Sequence, residues 1–145
     1  MNLFGVMDIS ASALKAERQR AEVVASNMAN AETTRTPEGG PYRRHHIVFS
    51  TAKPSFPQAL ESRMGAASGI GGVEVREVVP DSAPPLRRYE PSHPDADADG
   101  YVSYPAINPV EEMVDLMGAV RSYELNSSAV TASKQMIQQS LEILR

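Results

Sequence analysis

The chain has 145 residues, a net charge of −4 at pH 7 and no cysteine. This is the length of one domain, and without cysteine there is no disulfide framework and no thiol chemistry. Acidic and basic residues are interspersed, so the sequence lacks the basic stripe that nucleic acid or an anionic membrane requires. No apolar run approaches the roughly 18 residues of a membrane span, and we expect no direct membrane insertion.

Two further features of composition bear on folding and targeting. Three Phe, five Tyr and no Trp leave few large side chains to fill an interior, which predicts a small core. The first eight residues lack the basic region that opens a secretory signal peptide, so we expect export, if any, without a cleavable signal.

Proline divides the chain into three parts. All eleven prolines lie between Pro37 and Pro109, and proline is excluded from helix interiors. We therefore predict an N-terminal helical segment over 1–35, an extended and β-hairpin segment over 36–107, and a C-terminal helical segment over 108–145, within a single structural domain.

The first helix is predicted to begin near Asp8 or Ser10, because either side chain can serve as N-cap. A seam with 3-4-3-4 spacing follows, in which small alanines would let two helix backbones approach closely. The seam positions that we predict to lie in an assembly interface are Val6, Ile9, Ala13, Ala16, Val23, Asn27 and Asn30.

The last helix carries a stronger pattern. Asn108 followed by Pro109 is a start signal, and the acids at Glu111, Glu112 and Asp115 suit the positive end of the helix dipole. The predicted helix then runs to the C-terminus. Its seam positions predicted for the assembly interface are Met113, Leu116, Val120, Tyr123, Val130, Ile137, Leu141 and Leu144.

The two seams can be buried within the chain or between chains. The expected fold is mainly α with a small β insert, in which the long terminal helices form an antiparallel coiled-coil-like pair. We favour continuation of this pair into a bundle of several subunits, because the last helix is longer than the first and no third helix is available to cover it.

The middle segment contains four strand candidates. Residues 72–80 alternate apolar and charged side chains, the pattern of a half-buried strand. Residues 44–50, 86–90 and 101–104 are shorter candidates, bounded by glycine and proline. We expect small hairpins here and not a full sandwich.

The stretch Asp95 to Gly100 matches the first half of an EF-hand calcium loop. The match then fails, because position twelve is Ala106 where a bidentate Glu is needed, and Pro94 and Pro105 exclude the flanking helices. A solvated acidic turn is the favoured interpretation, and a small calcium-binding module is the alternative from another functional class.

No catalytic constellation is present in the sequence. His45 and His46 are adjacent on a predicted strand and point to opposite faces, so they cannot chelate one ion together. There is no G-x-S-x-G motif and no glycine-rich phosphate loop before a helix. We therefore expect no enzyme activity, no metal and no cofactor.

Polar residues follow the first helix at Ser26 to Thr34, where Asn and Thr side chains can bond free carbonyls and turn the chain. With this stretch the sequence resembles the bacterial flagellar rod and hook proteins. The resemblance extends over nearly the whole chain. The segments that carry it are Ser26 to Asn30, Pro41 to Arg44, Tyr89 to Pro91, His93 to Val102, Asn108, Glu111 to Asp115 and Arg121 to Asn126.

The resemblance implies a non-enzymatic structural subunit of the proximal rod in the flagellar basal body, which crosses the periplasm. Family members pack their terminal helices into a helical tube that transmits torque, and the tube encloses the export channel. The implied partners are copies of the chain, other rod proteins and the flagellar type III export apparatus, through which the chain would pass unfolded. A sibling proximal rod protein is the alternative within the family, and the acidic block at 93–102 argues against it.

Overall fold

The computed structural model describes residues 3–52 and 71–143. The elements in chain order are α1 (Leu3–Ala29), β1 (His45–Thr51), β2 (Val73–Pro80), β3 (Leu86–Tyr89), β4 (Tyr101–Tyr104) and α2 (Pro109–Ile143). One long helix thus precedes, and another follows, a small β insert of two two-stranded sheets, β1–β2 and β3–β4. The predicted fold class is confirmed, and each predicted strand is present.

Helix α1 begins at Leu3, so the predicted start near Asp8 or Ser10 is wrong. Ser10 is not a cap, because it lies within α1, two turns after the helix begins. Only 6% of its surface is exposed, so it faces the buried side of the helix. Apolar residues before it, such as Val6 and Met7, are half-buried and continue the helix toward the N-terminus.

Helix α2 begins at Pro109, as the sequence predicts. The Asn108 side-chain oxygen accepts a hydrogen bond from the Val110 N–H at 3.1 Å, which is the N-cap bond. The helix contains 35 residues and is therefore about 52 Å long, against about 40 Å for α1.

The described chain divides into two compact units, each holding part of both helices and part of β1 and β2. The first unit comprises Met1–Gln19, Phe49–Arg76 and Ala119–Arg145, and the second comprises Arg20–Val48 and Glu77–Gly118. In the second unit α1 and α2 are antiparallel, because Arg20 pairs with Asp115 while Asn27 bonds the earlier residue Glu112.

The second unit also contains the β3–β4 hairpin. Its strands are antiparallel, with Leu86 opposite Tyr104 and Tyr89 opposite Tyr101. Gly100 closes the connecting loop with φ +79°, a left-handed conformation that disfavours residues with a Cβ. Val102 on β4 is 1% exposed and forms part of the core of this unit.

The core is small, as the composition predicts. Among the described residues, the buried apolar side chains are Ala16, Val24, Val102, Ile107 and Ala119, together with Pro105. The buried polar residues are nearly as numerous, namely Ser10, Asn27, Glu112 and Ser133. The predicted half-buried character of β2 is wrong for this chain alone, because every residue of the strand except the half-buried Val75 is exposed.

Candidate assembly surfaces and the polar junction

Asn27 is the centre of a buried polar cluster in the second unit, and only 1% of its surface is exposed. Its amide nitrogen Nδ2 donates to the His45 carbonyl at 2.9 Å, and its oxygen Oδ1 accepts from the His45 N–H at 2.9 Å. The carboxamide of Asn27 therefore pairs with the backbone of His45 as a peptide group of a neighbouring strand would. This pair fixes the start of β1 against the end of α1.

Glu112 on α2 completes the cluster and has no exposed surface. Its Oε2 accepts from Asn27 Nδ2 at 3.1 Å, and its Oε1 accepts from Arg44 Nε at 2.5 Å. Arg44 also reaches Asp115, which in turn pairs with Arg20. A buried carboxylate is strongly destabilising when unpaired, so Glu112 depends on both of these partners.

Tyr42 joins the cluster from the segment before β1. Because Asn27 Oδ1 can only accept, the Tyr42 hydroxyl must donate its proton across the 3.2 Å that separates them. The same hydroxyl lies within hydrogen-bond distance of His45 Nδ1, at 2.9 Å. We call the set Asn27, Tyr42, Arg44, His45 and Glu112 the polar junction.

The chain leaves α1 through the polar residues that the sequence singles out. Asn30 Nδ2 donates to the Ser26 carbonyl at 2.9 Å, and the Thr33 hydroxyl donates to Asn30 Oδ1 at 3.2 Å. These bonds satisfy a carbonyl at the helix end and turn the chain, which confirms the predicted polar C-cap.

The acidic loop between β3 and β4 uses its carboxylates within the protein. Asp95 accepts from the Thr34 hydroxyl at 2.8 Å and pairs with Arg35, while Asp97 pairs with Arg87. Within residues 3–52 and 71–143, no group of three or more His, Asp or Glu side chains is placed to hold a metal ion. Asp95 and Asp97 thus have partners within the chain.

The first turns of α2 present apolar side chains to solvent. Val110, Met113, Val114 and Met117 are each 53% to 67% exposed and share the face opposite the buried Glu112. We call these four residues the α2 stripe. A contiguous exposed patch of this kind marks an interaction site more often than a free surface.

The predicted seam residues of α1 all lie on its covered side. Ala16 and Asn27 are buried, and Val6, Ile9, Ala13, Val23 and Asn30 are half-buried.

The predicted seam of α2 does not keep to one side of the helix. Leu116, Val130 and Ile137 are half-buried, while Met113, Val120, Tyr123 and Leu141 are exposed; Leu144 lies outside the described residues. The exposed Met113, Val120 and Leu141 belong to one of the two rows that make up the seam. The half-buried Leu116, Val130 and Ile137 belong to the other row, about 60° around the helix, together with the more exposed Tyr123.

Family comparisons match both helical regions. Residues 7–35 match the model described as flagella basal body rod protein, and residues 98–143 match the C-terminal model of the flagellar basal body rod FlgEFG proteins. The chain is 42% identical to the flagellar basal-body rod protein FlgC of Bacillus subtilis over 148 residues, covering 99% of both chains. The chain belongs to the FlgC family of flagellar basal-body rod proteins.

Other FlgC proteins match over similar lengths. The FlgC of Borreliella burgdorferi is 39% identical over 156 residues, which cover 100% of this chain and 99% of the relative. The FlgC of Escherichia coli O6:H1 is 41% identical over 143 residues, which cover 99% and 98%. These matches confirm the family predicted from the sequence, and with it a structural rod subunit of the basal body.

Sequence reasoning missed Glu112, Arg44 and Tyr42 as parts of the junction of this FlgC-family chain. Glu112 was assigned only a favourable interaction with the helix dipole, whereas its partners are 85 and 68 residues away in sequence. A signal was available, because Glu112, Ala119, Ser122, Asn126 and Ser133 form a row of small and polar residues, spaced 7, 3, 4 and 7 apart, beside the apolar seam. Such a row is typical of a closely packed helix face.

In the part of the chain that the structure describes, neither α1 nor α2 contains a stretch long and apolar enough to cross a membrane.

Proposed function

We propose that this chain is a subunit of the proximal rod that assembles, with copies of itself and with other flagellar rod proteins, into a helical tube. The tube transmits torque and encloses the export channel. Residues 1–35 and 108–145 form its axial core in this proposal, and residues 36–107 face outward.

The observation that carries the proposal is the α2 stripe. Burying a Val or Met side chain stabilises an association by about 1.5–3 kcal/mol relative to leaving it in water. Four such exposed side chains lie on adjacent turns of α2. Covering them with a neighbouring subunit would therefore stabilise an assembly of axial subunits. The exposed α2 stripe is more apolar than the buried residues Glu112, Ala119 and Ser133 of the same helix, which also supports association through the stripe.

The predicted interface residues then fall into two groups. Met113, Val120, Tyr123 and Leu141 are exposed and are available to a neighbouring subunit. The α1 seam is already covered within the chain, so residues such as Ala16 and Asn27 would act in assembly by holding α1 in place. Their direct contact with a neighbour stays a prediction.

We further propose that the chain reaches the periplasm through the flagellar type III export apparatus, unfolded and without a cleavable signal. The small core supports this route, because few large apolar groups must be exposed again to unfold the chain. Folding would then be completed on assembly, when neighbouring subunits supply apolar contacts that the chain lacks alone.

The test is a charge in the stripe. Met117→Glu should leave the unfolding free energy of the isolated protein within about 0.5 kcal/mol, since Met117 is 67% exposed. In a strain lacking the native gene, the same variant should abolish motility and be absent from purified basal bodies. Gln138→Glu, which adds the same charge at an exposed polar site of α2, is the matched control and should restore motility. Normal incorporation of Met117→Glu would refute assembly through this face.

A further inference from the structure

The polar junction draws its members from three separate segments of the second unit. Asn27 is on α1, Arg44 and His45 are at the start of β1, and Glu112 is on α2. Asn27 and Glu112 are 85 residues apart and form a direct hydrogen bond of 3.1 Å. The cluster therefore links two helices that lie near opposite ends of the sequence.

The residues of the polar junction satisfy and position one another. Glu112 is fully buried, and its two carboxylate oxygens are satisfied by Asn27 and Arg44. Asn27 places Arg44 indirectly, because it holds both backbone polar groups of the next residue, His45. The Arg44 carbonyl in turn accepts from the Asp81 N–H at 2.7 Å, which ties the segment to the end of β2.

Partial formation of the junction is unfavourable. If α1 and β1 docked without α2, the buried Asn27 amide would lose one of its acceptors. If α2 docked without α1, the Glu112 carboxylate would be desolvated with only Arg44 to compensate it. Hydrogen bonds within such a cluster are interdependent, so the members gain stability together.

We infer that the polar junction is a folding lock: the end of α1 and the start of α2 become stable only together, through Asn27 and Glu112. This inference rests on the proposed function for its biological meaning. A chain exported unfolded would not complete its second unit until residues 27, 44 and 112 had all emerged, whichever end emerged first. Premature folding of one end inside the export channel would thereby be avoided.

The lock can be tested by hydrogen exchange on the full-length protein. Glu112→Gln keeps the side-chain shape but replaces one carboxylate oxygen with an NH2 group. That NH2 group would face a donor of Asn27 or Arg44, so one of the two hydrogen bonds would be lost. The substitution should lower the protection of amides in 109–118 and in 20–29 by the same factor, about tenfold or more. Asn27→Asp should do the same from the other side, because it sets a second carboxylate beside Glu112. Glu124→Gln, an exposed site on α2, should change neither segment.

A milder variant is needed if Glu112→Gln and Asn27→Asp do not fold. Arg44→Lys keeps the positive charge but loses the planar fork that reaches both Glu112 and Asp115. It should cause a smaller loss of protection that is again equal in 20–29 and 109–118. In any of the three variants, loss of protection in only one of the segments 20–29 and 109–118 would overturn the lock. Failure of the proposed assembly would appear separately, as normal incorporation of the Met117→Glu variant, and would leave the exchange result unaffected.

Discussion

The Ser12 hydroxyl lies directly against Gly72, the residue that precedes β2. Ser12 Oγ accepts from the Val73 N–H at 3.0 Å and donates to the Ile9 carbonyl at 2.7 Å. A Cβ built at position 72 would lie 2.9 Å from the Ser12 Cβ and closer still to its Oγ. Gly72 is therefore required by the close approach of the hairpin to α1, and not by its backbone conformation, since its φ is not positive.

Gly72→Ala should destabilise the protein by about 1–3 kcal/mol, the usual cost of adding a methyl group where there is no room. Urea unfolding followed by circular dichroism would measure this change. Gly118→Ala is the control, because a Cβ at that helical position would meet nothing within 4 Å. It should be neutral or stabilising by up to about 1 kcal/mol. Equal effects of the two substitutions would show that the contact with Ser12 is not limiting.

Local sequence patterns were sufficient to predict the helices and strands, but they were insufficient to predict the polar junction. The alternation at residues 72–80 and the pair Asn108–Pro109 correctly predict β2 and the start of α2, because both depend on neighbours in sequence. Glu112 shows the limit. An acid in a first helical turn is explained by the helix dipole alone. The row of small and polar residues that begins at Glu112 indicates a packed helix face, but it does not identify a partner 85 residues away.

The start of α1 was mispredicted, whereas the α2 seam stays a prediction whose residues differ in exposure. Ser is a common N-cap residue, but Ser10 is buried inside α1. Burial depends on tertiary packing, which a preference of one residue type for helix starts cannot predict. The α2 seam was read as one face because its residues repeat every seven positions. An isolated helix has 3.6 residues per turn, so Met113 and Ile137 lie on different sides.

The unequal exposure of the seam residues predicts unequal effects of the same substitution. Ile137→Asp places a charge on the half-buried side and should lower the unfolding free energy of the isolated protein by about 1–3 kcal/mol. Val130→Asp should behave similarly. Met113→Asp, at a residue that is 53% exposed, should change it by no more than about 0.5 kcal/mol. Chemical denaturation of the three variants would test this order, and a large effect at Met113 would contradict it.

The acidic loop should depend on turn geometry and not on calcium. Asp97 Oδ1 accepts from the Asp99 N–H at 3.1 Å and from the Tyr101 N–H at 2.8 Å. Asn at position 97 retains this acceptor, so Asp97→Asn should preserve the melting temperature better than Asp97→Ala. Titration calorimetry with millimolar calcium should give no binding heat. Calcium-dependent stabilisation that Asp97→Asn removes would revive the binding-module interpretation.

Asp81 provides a prediction about acid stability. A hydrogen bond from the His46 side chain, at 3.2 Å, and one from the Ala83 N–H lower the pKa of Asp81 from its ordinary 3.8. Because the folded-state pKa is the lower one, the Asp81 carboxylate stabilises the fold at pH above 3.8, and this contribution is lost as the pH falls through the folded-state pKa. His46→Ala should raise the Asp81 pKa toward its ordinary value, as followed by NMR titration of the side-chain carboxyl. An unchanged Asp81 pKa in that variant would mean that the Ala83 N–H, and not His46, is the main cause of the shift.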